Sequence, residues 1–191
     1  MASPEDFIRA QLEESCHVKH SFSAELVALI AALAARIVQA IQAGGKVILF
    51  GNGGSAADAQ HIAAEFVVRL REHRAPLPAI ALTVNPSVLT AAANDYGYEQ
   101  VFSRQVEALA RPGDVIIALS TSGVSANVLL GAEAGRARGA WVAALTGESG
   151  GGLRKRSDLI INVPSQDAQR IQEAHITVGH ILCALVEQQL K

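Results

Sequence analysis

Val47-Ile48-Leu49-Phe50-Gly51-Asn52-Gly53-Gly54-Ser55-Ala56-Ala57-Asp58-Ala59-Gln60-His61-Ile62-Ala63-Ala64-Glu65 is the stretch whose reading decides the fold. Its first four residues are apolar without alternation, the pattern of a strand covered on both faces. Gly51, Gly53 and Gly54 then turn the chain, and from Ala56 the spacing becomes helical. A glycine-rich turn that opens a helix is an anion site, because the first backbone N–H groups lack intrahelical partners and the helix dipole favours negative charge there. His61 and Glu65 stand at i and i+4, so their side chains leave the same helix face. A phosphate cradle followed by a His/Glu pair points to chemistry on a phosphorylated small molecule.

The same strand–turn–helix unit repeats outward from this segment. Apolar runs recur at Val47–Phe50, Ala79–Thr83, Val115–Ser120, Trp141–Thr146 and Leu159–Val163. Helical periodicity lies between them, over Ala56–Leu70, Ser87–Asn94, Val101–Ala110, Ala126–Arg138 and Gly151–Arg156. Gly113-Asp114 and Arg138-Gly139-Ala140 lead into the third and fourth strands. The expected fold class is therefore α/β, a doubly wound parallel sheet of five strands. Long helices bracket it: Ser23–Ala43, with Ser23 as N-cap and Gly44-Gly45 as its stop, and Ala168–Leu190. An amphipathic segment, Pro4–His20, precedes both. The apolar stripe of Leu26, Ile30, Leu33, Ile37 and Ile41, widened by Leu29, Ala34 and Val38, is broader than one sheet-facing surface needs.

The 191 residues fit one compact domain, and a net charge of −2 gives no broad surface for nucleic acid or anionic lipid. The basic clusters Arg69/Arg71/Arg74 and Arg154/Lys155/Arg156 read as solvated helix ends. Cys16 and Cys183 are the only cysteines, and they lack metal or redox spacing, so a disulfide is not expected and a reducing cytoplasm is. The Met1–Asp6 start lacks the pattern of a leader. Leu26–Ile41, interrupted by Arg36 and Gln39, is read as too polar to span a bilayer.

In open α/β sheets ligands sit beyond the carboxyl ends of the strands. Three polar turns fall there: Gly51–Ser55, Ser120-Thr121-Ser122-Gly123 and Thr146-Gly147-Glu148. The hydroxyls of Ser120, Thr121, Ser122 and Ser125, next to a helix start, suit phosphate oxygens without Lys or Arg. Gly51–Ala56 also fits a loose dinucleotide pattern, but the next strand ends Leu82-Thr83-Val84-Asn85 without the acidic residue that ribose needs. No Lys follows the glycines, which excludes a Walker A loop. His61 and Glu65 read as a surface ion pair, which sequence alone slightly favours, or as two metal ligands. In the last helix Gln172, Glu173, His175 and His180 are polar, and helical spacing alone pairs Glu173 with His180. Asn94-Asp95-Tyr96-Gly97 reads as sugar-binding or as a helix stop.

Gly51–His61, Asn94-Asp95-Tyr96-Gly97-Tyr98, Ser120–Gly123 and Arg170-Ile171-Gln172-Glu173 together resemble the sugar-isomerase (SIS) family, and within it the bacterial enzymes that isomerise sedoheptulose 7-phosphate. The resemblance runs over nearly the whole chain. It implies a five-stranded parallel sheet sandwiched by helices and a cytoplasmic homotetramer with sites between subunits. Residues 1–45 would then serve oligomer packing, and 46–191 would bind the sugar phosphate. It implies one Zn²⁺ per subunit on His61, Glu65, Gln172 and His180, which replaces Glu173 by Gln172. Phosphate would sit on Ser55, Ser120, Thr121, Ser122 and Ser125, and the sugar on Asn52, Gly53, Gly54, Asn94, Asp95, Glu65 and Gln172.

The implied reaction yields D-glycero-D-manno-heptose 7-phosphate through an enediol(ate), the first step toward nucleotide-activated heptose and lipopolysaccharide. In it Glu65 would act as base and His180 as acid or second base. Val124 and Gln169 depart from residues common in relatives, and Asp167 lies two positions before Gln169. A non-catalytic SIS adaptor that binds a replication initiator, the nearest alternative, lacks a carboxylate at the position of Glu65; a sugar-phosphate-sensing domain is the other alternative.

Overall fold

The computed structural model describes residues 3–190, so Met1 and Ala2, on which part of the leader reading rests, and Lys191 lie outside it. Strands β1 (Val47–Gly51), β2 (Ala79–Ala81), β3 (Val115–Ser120), β4 (Trp141–Thr146) and β5 (Leu159–Asn162) form one sheet. All pairings are parallel and the order is β2-β1-β3-β4-β5. Strand order reverses between β1 and β3. The turns that follow these two strands therefore open on the crevice where doubly wound sheets hold ligands.

The sheet has helices on both faces because its strands are apolar on both. Val47, Leu49, Ile117, Leu119 and Leu145 turn toward α2 (Ala24–Gln42), α3 (Gly54–Val67) and α7 (Ala168–Gln189). Their neighbours Ile48, Phe50, Ile116, Ala118 and Ala144 turn toward α4 (Pro86–Tyr96), α5 (Ser103–Leu109) and α6 (Ala126–Ala137). Phe50 is fully buried and stacks on Phe102 at 5.1 Å between centroids, so truncation to alanine would cost about 3–5 kcal/mol. Gly131 permits this stack, since a Cβ there would meet the Phe50 ring at 2.9 Å.

Helix α1 (Pro4–His20) begins with a capping box between Ser3 and Asp6 and ends in His17, Lys19 and His20, which complement its dipole. Its one buried residue, Val18, joins Val163, Ile171 and Ala174. Arg170, 5% exposed, holds α1 to α7 by donating to the Gln11 backbone carbonyl at 2.6 Å. Phe7, Ile8 and Leu12 of α1, with Val27 and Leu29 of α2, remain exposed.

Several boundaries differ from the sequence reading, for local reasons. Helix α3 starts at Gly54 rather than Ala56 and stops at Val67. Strand β2 is cut to three residues because Thr83 leaves the edge to donate its hydroxyl to the Ala56 carbonyl. Gly151–Lys155 is a tight 3-10 turn, entered through left-handed Gly150 (φ 71°) and Gly151 (φ 50°). Helix α2, with a mean hydropathy of 1.9, is long and apolar enough by composition to cross a membrane, contrary to expectation. In this fold it packs on α7 and β5 through Leu26, Ile30, Leu33 and Ile37, and Arg36 lies over the Trp141 ring. Arg74 is not a solvated helix end: its side chain is 3% exposed and paired with Glu187.

His175 of α7 is fully buried against β4. Its Nε2 lies 3.3 Å from the Thr146 carbonyl oxygen, and its Nδ1 has no partner. Burial pushes its pKa down to about 4, and the Thr146 carbonyl offsets only part of that. A depressed folded-state value favours neutral imidazole. The stabilisation is thus complete above the unfolded value near 6.5 and is lost as pH falls toward 4, for about 3 kcal/mol in all. Urea midpoints of the parent and His175→Gln measured from pH 7 to pH 4.5 should diverge as pH falls, with the parent losing more stability than the variant.

Candidate active site

Two helix N-termini face the β1/β3 crevice. Gly53, at φ 55° and ψ −121°, caps α3 and has no side chain to cover the first N–H groups. Ser125 occupies the N-cap of α6 but makes no side-chain cap bond, and its hydroxyl turns toward Ser120 instead. The turn between β3 and α6 is drawn in around Ser120: Gly123 N–H donates to its Oγ at 3.1 Å, and the Ser125 Oγ lies 3.4 Å away. Gly123 has φ 67°, and a Cβ there would meet the Gly150 carbonyl oxygen at 2.3 Å. Ser55 is 3% exposed, at the start of α3.

Asn52 is held by a reciprocal amide pair. Its Nδ2 donates to Asn127 Oδ1 at 2.8 Å, and Asn127 Nδ2 donates back at 2.9 Å. The Tyr98 hydroxyl adds a third bond to Asn52 Oδ1 at 3.2 Å. Asn127, 4% exposed, fixes the glycine turn of β1 to the serine turn of β3, and the sequence reading gave it no role. Its signal was an asparagine in the first turn of a helix, where that residue usually serves side-chain hydrogen bonding. Asn94 and Asp95 are both exposed at the end of α4, with Asn94 Nδ2 donating to Asp95 Oδ1 at 2.8 Å.

A cavity of about 590 Å³ extends this region toward β4 and β5. It is lined by Thr121 and Ser122 from the expected phosphate turn and by Gly147 and Glu148 from the third polar turn. Ser165 and Gln166, before α7, complete its far wall and were not singled out from sequence.

The second part of the site lies on the outer face of α3 and α7. His61 Nε2 is 2.8 Å from His180 Nε2 and 3.3 Å from Glu65 Oε1. One candidate ligand atom from each of His61, Glu65 and His180 falls within 4.8 Å of the others. The rings meet edge-on, with planes at 70°. Glu65 and His180, expected to act together, are thus brought into one cluster. The donor set fits zinc: two imidazole nitrogens and a carboxylate oxygen leave a fourth position open, and ligand atoms around a tetrahedral zinc stand about 3.3 Å apart. Asp58, a turn before His61, has a buried Oδ2 without partner; burial raises its pKa to about 6 against the pull of His61.

Glu173, the residue that helical spacing paired with His180, instead pairs with Arg170 at 3.2 Å. Gln172 lies against Gly54, where a Cβ would meet its Oε1 at 2.6 Å. Its amide therefore sits at the start of α3, and His61 follows about two turns further along that helix.

Residues 12–147 match the SIS domain family. The chain is 52% identical to a phosphoheptose isomerase of Roseiflexus sp. (strain RS-1), over 100% of this chain and 98% of that one. Among solved structures it is similar to the phosphoheptose isomerase of Neisseria gonorrhoeae (TM-score 0.91, 40% identity, 97% of this chain and 100% of that one). It is similar also to that of Francisella tularensis (TM-score 0.94, 37% identity, 98% and 100%). The chain belongs to the SIS domain family and, within it, to the phosphoheptose isomerases.

Gly54→Ala places a methyl group where the Gln172 amide now lies. A flexible side chain can move aside, so thermal stability should fall little, whereas turnover should drop at least about 10-fold if the amide works from that position. Thermal melts and steady-state kinetics on the same preparation check this.

Proposed function

We propose that this chain interconverts sedoheptulose 7-phosphate and D-glycero-D-manno-heptose 7-phosphate. The observation that carries this is the meeting of Glu65 with His61 and His180 in a chain that also aims two helix N-termini and a serine turn at one crevice. Full-length relatives named as isomerases favour the enzyme over an adaptor or a sensor.

Ketose-to-aldose conversion moves a proton from C1 to C2 and exchanges protons between the two oxygens. Glu65 takes the C1 proton and returns it to C2. Its Oε1 faces His61, which leaves Oε2 for the carbon acid. His180 holds and returns the proton at the oxygens. Phosphate is held by Ser55, Ser120, Thr121, Ser122 and Ser125 with the N–H groups of α3 and α6, and the sugar by Asn52, Gly53, Gly54, Asn94 and Asp95. Gln172, whose amide lies at the start of α3, would contact the sugar and would join His61, Glu65 and His180 in holding the metal. These residues would hold one Zn²⁺ per subunit, and the chemistry it would supply is that of a Lewis acid at the sugar carbonyl.

From Gly54 to Glu65 is about 16 Å of helix, so the phosphate turns and the His/Glu/His cluster lie toward opposite ends of α3. We assign the complete site to subunit boundaries of a homotetramer. Exposed Phe7, Ile8, Leu12, Val27 and Leu29 on the helices of residues 1–45 supply apolar surface for that packing. Unpaired Cys16 and Cys183 suit a reducing cytoplasm.

Purified protein given sedoheptulose 7-phosphate should form the aldose, lose activity with a chelator and regain it with Zn²⁺. No conversion under any metal condition overturns the reading. Glu65→Gln should lower kcat by about 10²–10⁴-fold with the oligomer intact. Near-normal turnover in that variant would remove Glu65 from the mechanism.

A further inference from the structure

Arg74 and Glu187 are distant in sequence and form an ion pair buried at the far end of the α3–α7 seam, Nε to Oε1 at 3.2 Å, with side chains 3% and 2% exposed. Neither touches the crevice. The contacts they make are nevertheless directed at the cluster. Arg74 Nη2 donates to the backbone carbonyl of Glu65 itself at 2.8 Å, and Nη1 donates to those of Phe66 at 2.8 Å and Ala75 at 3.0 Å. One guanidinium thus caps the carboxyl end of α3 at the residue that bears the carboxylate. The Glu187 carboxylate accepts the N–H groups of Leu70 at 3.0 Å, Arg71 at 3.1 Å and Glu72 at 3.2 Å, which closes the turn that follows α3.

Glu187 stands roughly two turns beyond His180 on α7 and therefore projects from nearly the same face. Nearer the cluster, apart from the His61–His180 contact itself, the helices meet through weak ties: Gly179 lies on Ile62, where a Cβ would come within 2.5 Å of Cδ1, and the Cys183 thiol donates to the Ile62 carbonyl oxygen at 4.0 Å. Such a contact fixes how close the helices come but resists sliding along their axes weakly. The three N–H bonds that Glu187 of α7 accepts from the turn after α3 are directional and fix that sliding.

We infer that Arg74 and Glu187 are positioning residues that set the axial register of α3 against α7, and with it the placement of Glu65 opposite His180. This rests on the proposed function only in taking those two residues as the working pair. Burial opposes the charge on Glu187, yet the three N–H groups and the Arg74 guanidinium outweigh it and hold the carboxyl below its usual range, so the pair stays ionised near neutrality.

The test uses the full-length protein with two variants. Glu187→Gln keeps the shape and removes the charge. Arg74→Lys keeps a charge opposite Glu187 but loses the fork that reaches the Glu65 and Phe66 carbonyls. Two quantities are read on variants with native circular dichroism: Zn²⁺ affinity of metal-stripped protein by chelator competition, and kcat and KM with sedoheptulose 7-phosphate. Both variants should bind Zn²⁺ about 10–100-fold more weakly and lose a comparable factor in kcat, with KM within about two-fold of the parent. A lowered melting temperature with unchanged Zn²⁺ affinity and kcat would make the pair purely structural and overturn the proposal. Wild-type behaviour of Arg74→Lys would do the same, since charge alone would then suffice. If Glu187→Gln does not fold, Arg74→Lys, which leaves no uncompensated buried charge, decides the matter. The affinity measurement needs no substrate: a parent protein that binds Zn²⁺ but does not convert the sugar would end the proposed function and leave this inference standing on its own readout.

Discussion

The close parallel seam between α3 and α7 is the constraint on which the rest depends. Both helices begin at the carboxyl edge of the sheet and run back across the same face, so residues meet in matched order: Gly54 with Gln172, Ile62 with Gly179, Leu70 with Glu187. Glycine at 179 lets the helices approach this closely, because a Cβ there would meet the Ile62 side chain at 2.5 Å and force it to shift. The approach brings two imidazoles and a carboxylate from distant parts of the chain within a metal's reach. It also buries Cys183, whose thiol is pushed up to about 12 by burial first and by Glu65 next, so the thiol beside the cluster stays protonated.

The crevice end is built by different means. Its polar groups are hydroxyls and N–H groups at two helix starts rather than lysines or arginines. Such a site gains its attraction from oriented dipoles, which need exact geometry and little charge. The asparagine pair of residues 52 and 127 supplies that geometry, because each amide satisfies the other and neither can rotate without losing two bonds. This division, a dipolar turn region at one end of α3 and a His/Glu/His cluster able to hold a metal at the other, is consistent with a chain of nearly neutral composition.

What the sequence made legible were the features that local physics fixes. Uninterrupted Val/Ile/Leu runs gave the five strands, and glycines gave their turns, because covered parallel strands and positive-φ positions leave composition signals. His61 and Glu65 were readable as a pair since one helix carries both. Helical spacing also picked out His180 but paired it with Glu173, and only the family resemblance pointed to Gln172 instead. Arg74 was misread for a similar reason: a basic residue after a helix looks solvated until the glutamate that buries it arrives from the last helix. Asn127 escaped notice because its partner lies in another turn. In each case the missing information was a tertiary contact, which leaves no periodicity in the chain.

Gly123 and Gly151 touch backbone to backbone, and the Leu153 N–H donates to the Gly123 carbonyl at 3.2 Å. The serine turn thus has no cushion of side chains between it and the turn after β4. Insertions or enlarged residues in either turn would be transmitted directly into the other. Attempts to retool this scaffold for a differently shaped sugar will therefore have to redesign the two turns as one unit rather than graft them singly.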